Sequence, residues 1–199
     1  MFNTIRAKLG FGFAIVIALG LLTGALGLLN AKKIMEGAQA NEHTHEVLRE
    51  VSLIRENMTN IETGQRGFLV TGYPTYLEPY TEGKKEIDTH FAAAIKLTSD
   101  NPAQTERFNS LREMYSNWLK FSIEKTIELR QSLNNQEIDQ TEFMNRFVSL
   151  SGKPIMDKMR ELIGQVEQEE LNLLKVRTQA AETTYQTALW SVAAALIAS

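Results

Sequence analysis

Cysteine is absent from the 199 residues, which excludes a disulfide scaffold and leaves the redox compartment open. Only four prolines occur, so little interrupts a helical chain. The formal net charge is -3 and no block of Lys and Arg stands out, which argues against a nucleic-acid-binding surface. No His/Asp/Ser or Cys/His set, phosphate loop or nucleotide motif is present. The sequence therefore offers no catalytic constellation and implies no cofactor, so these residues are not expected to form an enzyme.

Charge is missing altogether from Leu9 to Leu29, where Thr23 supplies the single hydroxyl. About 21 such residues span roughly 30 Å as a helix, the thickness of a bilayer core. Residues 9–29 are expected to form a transmembrane helix behind a short N-terminal stretch, residues 1–8. A cleaved signal peptide is the rival, given Arg6 and Lys8, but the apolar run is too long and no A-x-A site follows. At the other end "ALWSVAAALIAS" is apolar for about 12 residues, too few to cross. With Trp190 where an interfacial anchor belongs, residues 187–199 read as the start of a truncated second span. Basic residues leave the orientation open, because Lys32, Lys33 and Arg49 balance Arg6 and Lys8.

Between these runs the period is helical almost throughout. The spacing predicts a first helix whose seam passes through Ile34, Ala38, Asn41, His45, Leu48, Ser52, Arg55, Met58 and Glu62, with Val51, Ile54 and Ile61 on its flank. Gly72 and Pro74 suit a corner, and Pro79 should loosen the start of the second helix, from about Pro74 to Leu97. In "SDNPAQ" Asn101 can cap a third helix, Pro102 can take its first position and Gln104 can reach back. That helix carries Phe108, Leu111, Tyr115, Trp118, Ser122, Lys125 and Leu129, and ends near "NNQEID". A fourth carries Ile155, Met159, Leu162, Val166, Glu169, Leu173, Val176 and Ala180. The expected fold is all-α: an up-down-up-down four-helix bundle over residues 30–186, its long first and fourth helices continuous with transmembrane helices. The first helix outreaches the second, leaving a two-helix stalk with an incompletely covered face, which favours a homodimer.

Glu62 and Arg66 share a helix face, and counting the helical rise brings Tyr80, Trp118 and Arg160 to the same level. With Gln65 these residues form either a small-molecule pocket between helices or a polar network that fixes helix register. The register reading is favoured over recognition. Glu169 falls within reach of Arg49 or Arg55, as a structural salt bridge. His43 and Glu46 share a face but cannot complete a metal site alone, and His90 stands isolated.

The segments "ETGQRGFLVTG", "YLEPY", "SGKPIMDKMR" and the E-x-x-L-L-x-x-R pattern at Glu170 to Arg177 resemble the CHASE type-three extracellular sensory domain. Domains of that family sit between two membrane spans in bacterial histidine kinases, chemoreceptors and cyclases. The resemblance implies that residues 1–8 are a cytoplasmic N-terminus, and that residues 30–186 lie outside the bacterial inner membrane and act as a sensory input to a cytoplasmic output. Its signal would be an unknown small molecule or a protein. Tyr73 departs from the family, which commonly places an acidic or polar capping residue there, and implies a less tightly capped corner. The alternative function is a membrane-anchored structural or tethering bundle without ligand.

Overall fold

Alanine, leucine and other good helix formers run from the N-terminus to the first left-handed glycine, and they form one helix, α1, over Ile5–Thr71. Gly72, at φ 73°, ends it, with its N–H bonded to the Phe68 carbonyl at 2.7 Å. A 3-10 turn at Pro74–Leu77 leads into α2, Glu78–Leu97. Pro79 thus sits in the first turn of α2, where a missing N–H costs nothing, and the tighter turn is the loosened start expected from it. Tyr73 precedes the turn without a side-chain cap bond. Helix α3, Pro102–Trp118, opens on Asn101, whose side chain accepts from the Gln104 N–H at 3.2 Å. A π turn, Leu119–Ile123, joins it to α4, Glu124–Asn134; α5 spans Gln140–Ser149 and α6 spans Lys153–Ala198.

The computed structural model describes residues 5–198. Residues 1–4 of the expected cytoplasmic tail and Ser199 of the expected second span lie outside the described residues, as do the side chains of Arg6 and 195–198. What is described is 93% helix without strands, so the chain is all-α. Among the described residues α1 is the helix long and apolar enough to cross a membrane.

Two units divide the chain. The first comprises residues 1–44 and 172–199; in it Arg177 donates to the Ala40 carbonyl at 2.9 Å and to the Thr44 hydroxyl. The second, residues 45–171, holds the core. From α1 this core takes Val47, Val51, Ile54, Met58, Ile61 and Phe68; from α2, Ile87, Phe91 and Ala94. Phe108, Leu111, Tyr115 and Trp118 come from α3, and Met156, Met159, Ile163 and Val166 from α6. Phe91, Tyr115 and Trp118 form a tilted aromatic ladder with centroids 5.6 and 6.3 Å apart. Its burial pushes the Tyr115 phenol well above its ordinary range, with the Asp88 carboxylate adding to the effect.

The expected seams of α3 and α6 largely face the core, with Phe108, Leu111, Tyr115, Trp118, Met159 and Val166 buried, whereas the buried stripe of α1 is shifted in phase. On α1 the expected members His45, Ser52 and Arg55 are exposed, and of the expected seam Met58 shares the core with Val51, Ile54 and Ile61, the residues assigned to the flank. Branched aliphatic side chains gain more from burial than the polar set, so the helix turns them inward. On α6 Glu169 is half-buried while Glu170 is buried, and Arg55 pairs with Glu167 at 2.6 Å instead. Gln104 does not reach back to its cap. Fully buried, it donates to Glu170 Oε1 at 2.9 Å. His90, expected to be isolated, lies with Nδ1 2.8 Å from Glu50 Oε2.

Neighbouring helices are paired in opposite directions. Gly64 and Glu50 of α1 meet Tyr80 and His90 of α2, and Glu62 and Arg55 of α1 meet Arg160 and Glu167 of α6.

Candidate functional site

Steps of three, four and seven along α1 place Glu62, Gln65, Arg66 and Leu69 on one side of the helix. Opposite them, the junction of α3 and α4 brings up Trp118, Ser122, Ile123 and Thr126. Together with Phe147 and Val148 of α5 and the Ser151–Gly152–Lys153 connection to α6, these residues line a cleft of about 390 Å³. That volume is in the range of small-ligand pockets.

The π turn sets this wall. In an uninterrupted α-helix, Lys125 would follow Trp118 and Ser122 on the buried side, seven residues after Trp118. The turn absorbs one extra residue, so Lys125 is exposed and Thr126 is buried. The Thr126 hydroxyl lies 2.9 Å from both the Ser122 and Ile123 carbonyls and accepts from Gln65 Nε2 at 2.7 Å. A buried amide is thereby satisfied, and α1 is tied to α4.

Charge is arranged as an alternating chain. Glu62, its side chain 15% exposed, accepts from Arg66 at 2.6 Å and from Arg160 at 3.0 Å. Arg160 also approaches Asp157 at 3.6 Å, and Asp157 pairs with Lys153. Two guanidiniums offset the partial desolvation of Glu62. Arg66, by contrast, has its side chain 70% exposed at the cleft mouth.

Of the six residues singled out from the sequence, Glu62, Gln65, Arg66 and Trp118 line the cleft, and Arg160 reaches it through Glu62. Tyr80 does not line it. At the start of α2, Tyr80 is packed on Gly64, where a Cβ would fall 2.5 Å from the Tyr80 nitrogen. Its phenol oxygen is 3.4 Å from Lys84 Nζ, which in turn pairs with Glu124 at 2.6 Å. That carboxylate holds the Lys84 ammonium above its ordinary range, against the opposing pull of burial.

Sequence reasoning missed α5 and the wall it builds. A signal was present: Asp139 followed by Glu142 is an N-terminal capping pattern, and Asp139 Oδ1 accepts from the Glu142 N–H at 2.8 Å. Phe143 and Phe147 stack with centroids 5.9 Å apart. Gly152 then lets the connection lie on Trp118, since a Cβ there would come 2.8 Å from the indole nitrogen.

Comparison with curated proteins and with solved structures returned no match. The comparison with protein families did, and it locates the cleft within a known kind of domain. The CHASE3 domain matches residues 37–180, a span that includes every residue of the cleft and of the charge chain. CHASE3 domains are extracellular sensory domains of membrane receptors and are not catalytic. With well over half of its length matched, the chain belongs to the CHASE3 domain family.

Proposed function

We propose that this chain is the sensory input module of a bacterial transmembrane signal-transduction receptor, held in the inner membrane with residues about 30–186 outside it. The observation that carries the reading is the CHASE3 match over residues 37–180, directly following an apolar stretch of α1 long enough to span a bilayer. In this reading the opposed helix pairings belong to an up-down-up-down four-helix bundle, and α1 and α6 run on into two membrane spans. The module works as a homodimer and senses a small molecule or a protein. Glu62, Gln65, Arg66, Trp118 and Arg160 belong to the sensing site, and Tyr80 supports it from behind Gly64. Signal passes as a shift or rotation of α1 and α6, biased between two arrangements, to a cytoplasmic output of kinase or chemotaxis type.

The mechanism is tested by joining residues 1–186 to the second membrane span and cytoplasmic core of a histidine kinase and inserting alanine after Glu182. One inserted residue turns the following helix by about 100° and seven by about 700°, close to two full turns. Autophosphorylation in membranes is expected to change at least about fivefold with one alanine, a differential of roughly 1 kcal/mol between the two arrangements, and to return with seven. A tether that senses nothing would leave the output equal in all three proteins, and that result would sink the proposal.

A further inference from the structure

The cleft is divided in its chemistry. Leu69, Trp118 and Phe147 give it an apolar surface, beside which lie the buried polar side chains of Gln65, Ser122 and Thr126, while its rim carries Arg66 and Lys153. Among the described residues that line it the one carboxylate is Glu62, and both of its oxygens are already held, one by Arg66 and the other by Arg160. An incoming ammonium would therefore have to displace a guanidinium. An incoming anion would not. Arg66 gives one nitrogen to Glu62 and remains 70% exposed, and a guanidinium has five N–H donors in a planar fork that matches a carboxylate. Lys153, 78% exposed and paired with Asp157, brings a second cation to the same rim. Counting Arg66, Arg160 and Lys153 against Glu62 and Asp157, the chain of charges retains one positive charge in excess.

We propose that the cleft binds a small organic monocarboxylate with an apolar body. The carboxylate is held by Arg66 and Lys153, and the body packs against Trp118, Leu69 and Phe147. A doubly charged anion such as free phosphate is a poorer fit, because the rim has a single excess charge and the inner surface offers no further cation. Binding makes Arg66 share its donors between the ligand and Glu62, the carboxylate that also holds Arg160 and so links α1 to α6. The proposal rests on the reading of this cleft as the sensing site, and it goes further by naming the ligand class.

The test uses the whole chain in nanodiscs of zwitterionic phosphatidylcholine at fixed ionic strength, titrated calorimetrically with acetate, isovalerate, benzoate and phenylacetate. Phenylacetamide and phenylalanine serve as the neutral and zwitterionic comparisons. At least one of the three apolar carboxylates is expected to bind saturably, more tightly than acetate, and its affinity should fall about tenfold in Arg66→Gln and about threefold in Lys153→Gln. The inference is overturned by no saturable binding of any carboxylate, by equal binding of phenylacetamide or phenylalanine, or by unchanged affinity in both variants. Because both substituted side chains are largely exposed, each variant should keep its thermal melt. If Arg66→Gln does not, Lys153→Gln alone decides. The alanine-insertion experiment needs no ligand, so the sensory reading can stand if this one fails.

Discussion

The glycine pair in "ETGQRG" has a packing reason at the level of single atoms. Gly64 is buried in α1, and an added Cβ would fall 2.5 Å from the Tyr80 nitrogen and 2.9 Å from the Tyr80 Cβ. The nearest atom is backbone, which cannot swing aside, so the first turn of α2 would have to move off α1. Gly164 offers the contrast: it is exposed in α6 with nothing within 4 Å of such a Cβ. Gly64→Ala is accordingly expected to destabilise the protein by about 1–3 kcal/mol through overpacking. Gly164→Ala should be neutral or stabilising by up to about 1 kcal/mol, since alanine is the better helix former. Thermal melts of the two variants followed by circular dichroism decide it, and equal effects would count against the close approach. The glycine motif therefore serves helix contact at Gly64, while the polar residues beside it, Glu62, Gln65 and Arg66, face the cleft.

At the scale of elements, the helices were legible because so few residues could break them, and because the corner at Gly72 and the cap at Asn101 use strong local chemistry. Phase was harder to read. A run such as Leu48, Ser52, Arg55 fits heptad spacing as well as Val47, Val51, Ile54 does, and only the gain from burying branched side chains chooses between them. The π turn could not be read at all, because its cause is tertiary: Gln65 needs the Thr126 hydroxyl, and Ile123 and Thr126 reach the core side only if one residue is looped out. Deleting Phe121, which is 54% exposed, should convert the π turn into regular helix and leave Trp118 and Thr126 seven residues apart on one face. The stability lost should stay under about 2 kcal/mol. Deleting Gly164 from the uninterrupted α6 turns Val166 and Glu170 by about 100° out of their sites, a loss of core burial costing more than about 4 kcal/mol. If both deletions prove equally damaging in denaturant unfolding, the π turn is not the spare residue this account makes it.

For the whole molecule, the family motifs pointed to the CHASE3 family and the apolar start of α1 to a helix long enough to span a bilayer, while the cleft depended on α5, too short to stand out beside the long helices. What holds the sensory part together is local to it. Every residue of the hydrophobic core, from Val47 to Val166, lies within residues 45–171. The links that tie its outer helices together, Glu62 with Arg160 and Arg55 with Glu167, lie there too, as does the buried Gln104–Glu170 bond. A fragment of about 127 residues is large enough to bury roughly two thirds of its unfolded surface. Residues 45–171, expressed without the apolar stretch of α1, should therefore be soluble and unfold in one cooperative transition, with a urea slope of about 1–3 kcal/mol/M. Gly64→Ala should lower its midpoint as it does in the full chain, because both partners of that contact are retained. A fragment that binds hydrophobic dyes and unfolds without a sigmoidal transition would mean that the core alone does not specify the fold, and that the membrane stretch or a second copy is needed to complete it.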